Sequence, residues 1–230
     1  MTHDAKIFCA IDTADLDRAC DLAAAVGPVT GGIKLGLEFF NHFGLQGIEA
    51  VLKKAPDVEL FIDLKYHDIP NTVAGAVRGI CRNFTPAYLN VHASGGHDMM
   101  EAAIAACHKD TKLLAVTLLT SLDSEEIERM GFVEGLSTVV KQLALLTKES
   151  GLAGVVCSSH EIVGIREACG EDFVLMVPGI RPAGSSHDDQ KRVMTPKEAL
   201  DAGARHLVIG RPITNAEDPA KAAADIIASL

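Results

Sequence analysis

The chain has 230 residues, 48% of them hydrophobic, only 4% aromatic and none tryptophan, so a large core has to be built mostly from Ala, Val, Ile and Leu. The net charge of -10 argues against nucleic acid or an anionic membrane surface as a partner, though not against a small anion held by a local basic pocket. No apolar run approaches the roughly 18 residues of a membrane span, and the first six residues lack the apolar stretch of a signal peptide, so a cytoplasmic protein is expected.

Short apolar runs alternate with longer helical patterns along the whole chain. Strands are expected at Lys6–Asp12, Gly31–Gly36, Glu59–Lys65, Ala87–Ala93, Lys112–Leu119, Gly154–Ser158, Phe173–Pro178 and His206–Gly210. The helical patterns between and after them cover Asp15–Val26, Glu38–Lys54, Pro70–Asn83, Gly96–His108, Ser124–Met130, Ser137–Ser150, His160–Cys169, Pro196–Ala202 and Asp218–Ser229. Thr195-Pro196 and Asp218-Pro219 read as helix caps. Eight strand–helix units predict a single-domain α/β protein, a (β/α)8 TIM barrel over 1–230. An open doubly wound sheet is the alternative, but the first βα turn carries no GxGxxG. The six cysteines form no CxxC pair and sit largely in apolar runs, which suits small buried side chains in a reducing compartment.

One stretch breaks the apolar rule. Asp63 and Lys65 close the third strand, and alternation points both to one face. Two charges on a buried strand end are costly unless they pair or serve a site. Asp68 follows just before Pro70, where it could cap the next helix. In a barrel the active site lies at the C-terminal strand ends, and there the chain carries Asp12, Lys34, Asp63, Lys65, Arg181 and Arg211. Six charges on five strand ends are hard to explain as packing. Asn90 and His92 end the fourth strand and Leu119-Thr120-Ser121 the fifth. Gly179-Ile180-Arg181 and Gly210-Arg211 follow strands seven and eight, where barrels often hold phosphate, and pair close backbone approach with a forked cation. The polar segment 184–190 reads as a binding loop or lid.

Asp63-Leu64-Lys65-Tyr66-His67-Asp68-Ile69 resembles the DxKxxDI signature of orotidine 5'-phosphate decarboxylases. The resemblance extends through Ala10-Ile11-Asp12, Ile33-Lys34-Leu35-Gly36, Leu119-Thr120-Ser121, Pro178-Gly179-Ile180-Arg181-Pro182 and Ile209-Gly210-Arg211-Pro212-Ile213. It implies decarboxylation of orotidine 5'-monophosphate to uridine 5'-monophosphate, with no cofactor and no metal. Lys65 would protonate the pyrimidine carbon, within a charge network of Lys34, Asp63, Lys65 and Asp68. Asp12 and Lys34 would hold ribose hydroxyls, and Thr120 and Ser121 the base and ribose region. Arg181, Gln190, Gly210 and Arg211 would bind the phosphate side, and Pro178 would be a further substrate-binding residue. Asp68, Ile69 and Thr72 would reach the neighbouring site of a homodimer. His67 and His92 receive no role. Two alternatives remain on sequence alone. One is a Mg2+-dependent sugar-phosphate decarboxylase or aldolase of the same superfamily, which would need oxygen ligands where Lys34 stands. The other is a non-catalytic nucleotide-binding protein, which would not need Asp63, Lys65 and Asp68 together.

Overall fold

In a computed structural model of the protein, residues 5–182 and 194–230 are described. The strands are β1 (Ile7–Ile11), β2 (Gly31–Gly36), β3 (Glu59–Tyr66), β4 (Tyr88–His92), β5 (Lys112–Val116), β6 (Gly154–Val156), β7 (Val174–Val177) and β8 (His206–Ile209). They pair in chain order, all parallel, and β8 returns to β1 to close a barrel. The helices are α1 (Leu16–Thr30), α2 (Leu37–Lys54), α3 (Pro70–Cys81), α4 (His97–Ala106), α5 (Ser124–Arg129), α6 (Leu136–Glu149), α7 (Ile162–Cys169), α8 (Pro196–Asp201), α9 (Arg211–Thr214) and α10 (Pro219–Ala228). The expected (β/α)8 barrel is therefore the fold, and the open sheet is excluded by its closure.

The period-two alternation of each strand divides the core in two. Ile7, Cys9, Ile11, Ile33, Leu35 and Ile62 face the helices, in the larger cluster. Phe8, Ala10, Phe61, Tyr88, Leu114, Val116, Val156, Met176 and Val208 fill the barrel interior. Near the N-terminal ends of the strands this interior is closed by rings packed edge to face: Phe8 lies 5.5 Å from Tyr88 and 5.5 Å from His206 between ring centroids. His206 is buried, and its Nδ1 donates to the Ala5 carbonyl at 2.7 Å. A carbonyl only accepts, so Nδ1 carries a proton, and Nε2 shares a hydrogen bond with the Tyr88 hydroxyl at 2.7 Å. The barrel is plugged at this end.

Several boundaries differ from expectation. Helix α1 continues past Gly27-Pro28 to Thr30 and stops at Gly31, whose φ of 71° is left-handed and whose N–H bonds to the Gly27 carbonyl. Val26, Gly27 and Thr30 are buried there, so packing holds the last turn despite Pro28. Strand β5 ends at Val116 rather than Leu119, and a 3-10 turn at Ser159–Glu161 precedes α7. The short α9 was not anticipated. Thr195 and Asp218 do cap α8 and α10, accepting from Glu198 N and Lys221 N. Asp68 does not cap α3: Ile69 is the N-cap residue, and Asp68 Oδ1 accepts instead from the adjacent Ile69 N–H at 2.7 Å. All six cysteines are free, but Cys81 and Cys107 are half-buried rather than buried. Among the described residues, no helix is long and apolar enough to cross a membrane.

Candidate active site

The inward columns that make the floor continue upward to make the site. On β1 the column runs Phe8, Ala10, Asp12; on β2 it reaches Lys34 and Gly36; on β3 it runs Phe61, Asp63. Above the floor a cavity of about 340 Å³ opens at the C-terminal strand ends. Its apolar base is Ala10, Phe61, Val116, Val156 and Val208. Asp12, Lys34, Asp63, Lys65, Thr120, Pro178, Arg181, Gly210 and Arg211 line its walls. Among these charged groups Lys34 and Asp63 are buried over the apolar base, where their mutual interaction is stronger than it would be in water.

Asp63 is the hub. Its Oδ2 lies 3.1 Å from Lys34 Nζ, and its Oδ1 accepts from Lys65 Nζ at 2.6 Å and from Asn90 Nδ2 at 2.7 Å. Lys34 also reaches Asp12 Oδ1 at 3.4 Å. Burial alone would raise the Asp63 pKa, but the Lys34 and Lys65 charges, aided by hydrogen bonds from Lys65 and Asn90, hold it down at about 2. Burial alone would likewise lower Lys34, and the carboxylates of Asp63 and Asp12 outweigh it, so its pKa is raised and it stays an ammonium. Cys157 also lines the cavity; burial pushes its thiol up, which keeps it neutral and unsuited to attack.

The two ammonium groups are not equivalent. The Lys34 side chain is 9% exposed and held between two carboxylates, whereas Lys65 is 25% exposed and meets one. Lys65 also has φ 50°, the one non-glycine residue with positive φ among the described residues. It lies where β3 slips against β4, between Ile62 and Tyr66. Simple alternation thus predicts the outcome for Asp63, but a bulge delivers Lys65.

On the far wall, Gly179 has φ 77°, a left-handed turn suited to glycine, and directs the chain into Arg181. Arg181 is buried, with its Nη1 donating to the Ile180 carbonyl at 3.0 Å. Gly210 and Arg211 open α9 after β8. Thr214 and Asn215, at the end of that helix, line the cavity too; a four-residue helix has too little periodicity to announce itself in a sequence. Ser121 is exposed and is not among the lining residues, unlike its neighbour Thr120. Asp68, Ile69 and Thr72 are also exposed and stand outside the cavity of their own chain. Gln190 and the 184–190 segment lie outside the described residues. The His67 and His92 rings lie with centroids 5.4 Å apart and tilted by 36°; burial first, then His67 and Lys65, lowers the His92 pKa.

Comparison with known proteins gives the family. Residues 5–226 match the model of the orotidine 5'-phosphate decarboxylase / HUMPS family. A protein of Rhodospirillum rubrum named orotidine 5'-phosphate decarboxylase is 50% identical, covering 97% of this chain and 92% of its own. Its namesake in Moorella thermoacetica is 47% identical, covering 98% and 92%. The crystal structure of orotidine 5'-phosphate decarboxylase from Lactobacillus acidophilus superposes with a TM-score of 0.84 at 33% identity, covering 97% of this chain and 98% of its own. An uncharacterized conserved protein from Geobacillus kaustophilus superposes with a TM-score of 0.80 at 32% identity, covering 96% and 98%. With a family-model match across residues 5–226 and relatives up to 50% identical over nearly the whole chain, the chain belongs to the orotidine 5'-phosphate decarboxylase / HUMPS family.

Proposed function

We infer that the protein decarboxylates orotidine 5'-monophosphate to uridine 5'-monophosphate, the last step of de novo pyrimidine nucleotide synthesis. The observation that carries the chemical side of this reading is the carboxylate of Asp63 held between two ammonium groups, Lys34 at 3.1 Å and Lys65 at 2.6 Å, at the mouth of the barrel.

Loss of CO2 leaves an electron pair on a ring carbon that the ring carbonyls do not readily delocalise. A fixed ammonium beside that carbon stabilises the developing charge and then supplies the proton. Lys65 is the candidate donor because it is the more accessible of the two lysines. Asp63 is saturated by three donors and held ionised, so its part is to aim Lys65 and keep it charged. Once Lys65 has given up its proton, the same carboxylate favours reprotonation from water.

The remaining assignments come from the family resemblance; Asp12, Lys34, Thr120, Pro178, Arg181, Gly210 and Arg211 stand on the cavity wall, whereas Ser121 does not and Gln190 lies outside the described residues. Asp12 and Lys34 suit ribose hydroxyls, with Thr120 and Ser121 on the base and ribose region. Arg181, Gly210 and Arg211, with Gln190, suit the phosphate, whose binding energy can be used to order the site, and Pro178 is a further substrate contact. A homodimer in which Asp68, Ile69 and Thr72 complete the partner's site is supported by their exposure. Ile69 is an apolar side chain left 67% exposed, and Asp68 makes no ion pair among the described residues. We place the protein in the cytoplasm, where six free thiols are at home.

Lys34 speaks against the metal-dependent alternative. A divalent cation would need oxygen ligands near the end of β2, but that place is taken by the Lys34 ammonium, and Glu38 is exposed on α2. The test is the loss of orotidine monophosphate absorbance on adding purified protein in excess EDTA. Turnover under EDTA is the expected result; activity that vanishes with EDTA and returns with Mg2+ would favour the alternative.

A further inference from the structure

Strands β3 and β4 pair at Ile62 with Leu89 and again at Tyr66 with Val91. Between these points Asp63, Leu64 and Lys65 stand opposite the single residue Asn90. The bulge leaves the Lys65 N–H, in its left-handed conformation, without a main-chain carbonyl across the ladder. Asn90 supplies the acceptor: Lys65 N donates to Asn90 Oδ1 at 2.8 Å. The other end of the same amide donates to Asp63 Oδ1 at 2.7 Å, and that oxygen accepts from Lys65 Nζ at 2.6 Å. Three hydrogen bonds thus close a ring through the Lys65 main chain, the Asn90 amide, the Asp63 carboxylate and the Lys65 ammonium.

We propose that Asn90 is a positioning residue for the reaction, whose amide clamps the bulged Lys65 backbone and the Asp63 carboxylate into one rigid unit. This rests on the decarboxylase reading above. Asn90 is completely buried and is not among the cavity's lining residues, so it acts through its two neighbours and not on substrate. The chemistry of the position is restrictive. An N–H must meet an acceptor and an ionised carboxylate must meet a donor, so the amide has one usable orientation. Leucine would offer neither group. Aspartate would offer both only while protonated, and its ionised form would oppose Asp63 directly. Left-handed backbone at a non-glycine residue persists only where surroundings impose it, and Asn90 is what imposes it here.

The test compares Asn90→Ala, Asn90→Asp and Tyr88→Phe with the wild type. Tyr88 is on the same strand and loses a buried hydrogen bond to His206, so it reports the effect of destabilising β4 far from the chemistry. Asn90→Ala should lose about 10- to 100-fold in kcat, as small displacements of reacting groups do, while affinity for uridine 5'-monophosphate stays within about threefold. Tyr88→Phe should keep its kcat. For Asn90→Asp, the kcat ratio to wild type should fall as pH rises through an ionisation the wild type lacks. The charged or titratable groups around that position are Asp63 and Lys65 on β3, Lys34 on β2, and His92 with its neighbour His67; across β5 it faces neutral Leu114. Asn90→Ala with kcat within about twofold of wild type overturns the proposal. Should the alanine variant not fold, a pH-independent ratio for the nearly isosteric aspartate variant overturns it instead. A wild type inert toward orotidine monophosphate would sink the decarboxylase reading itself, whereas an active wild type matched by both variants removes only Asn90.

Discussion

Gly36 makes room for the Lys34 ammonium: a Cβ at Gly36 would stand 2.9 Å from Lys34 Nζ, and also 2.9 Å from Asp12 Oδ1. In the β2–β3 register Gly36 lies opposite Asp63, while Lys34 lies opposite Phe61, two residues lower. Lys34 therefore has to pass the bare Gly36 to reach Asp63. The Gly36 φ of -104° is open to any residue, so space rather than backbone conformation requires glycine here.

Gly36→Ala should accordingly fold but work poorly. The added methyl pushes a pinned ammonium away from Asp63 and Asp12, and kcat/KM should drop by about 10- to 100-fold. Thermal unfolding and steady-state kinetics on the same preparation check this. A variant with wild-type kinetics would show that Lys34 need not hold this position.

The charge hub also sets a pH dependence of stability. In the unfolded chain Asp63 titrates near its ordinary value of 3.8; in the folded protein the lysines hold it at about 2. As pH falls through that window, the unfolded state takes up the proton first. The stability Asp63 contributes is thus present above about pH 4 and is lost on approach to about pH 2. Asp63→Asn lacks this contribution. Denaturant titrations at a series of pH values should show the gap between wild type and Asp63→Asn narrowing by roughly 2 kcal/mol from about pH 5 to about pH 2. A gap independent of pH would mean that Asp63 is not held ionised by its neighbours.

The proposed composite site has its own signature. Lys65→Ala and Asp68→Ala chains should each be inactive alone. Mixed and allowed to exchange subunits, they form dimers in which one site carries both lesions and the other neither. Random exchange makes about half of the dimers mixed, so activity should approach roughly a quarter of wild type. Mass tagging of one variant verifies exchange. Complete exchange without any recovery would confine each site to one chain.

Much of this is legible in the sequence. Alternating apolar runs gave the barrel, and the barrel turned scattered charges into one ring, because strand parity puts Asp12, Lys34 and Asp63 in the same inward columns as Phe8 and Phe61. What stayed hidden depends on geometry that residue types do not encode. Lys65 reaches the site through a bulge and a left-handed backbone, which lysine gives no hint of preferring. Asn90 stands out as polar at a strand end, but only its two hydrogen bonds reveal what it joins. Strand β5 ends early because Leu118 and Leu119 turn to line the cavity, although their apolar character reads as more strand. The outward-facing Asp68 agrees with its place in the turn before Pro70, but the cap that a carboxylate before a helix proline suggests does not form, because Ile69 takes the N-cap position.

The central claim is that Lys65 supplies the proton that replaces the departing carboxylate. It is tested most directly by turnover of orotidine monophosphate by wild type and Lys65→Ala side by side, with uridine monophosphate affinity measured on both. The account predicts rapid conversion by wild type, and near-complete loss of kcat in a folded variant that still binds uridine monophosphate. An alanine variant that keeps most of its kcat would contradict it.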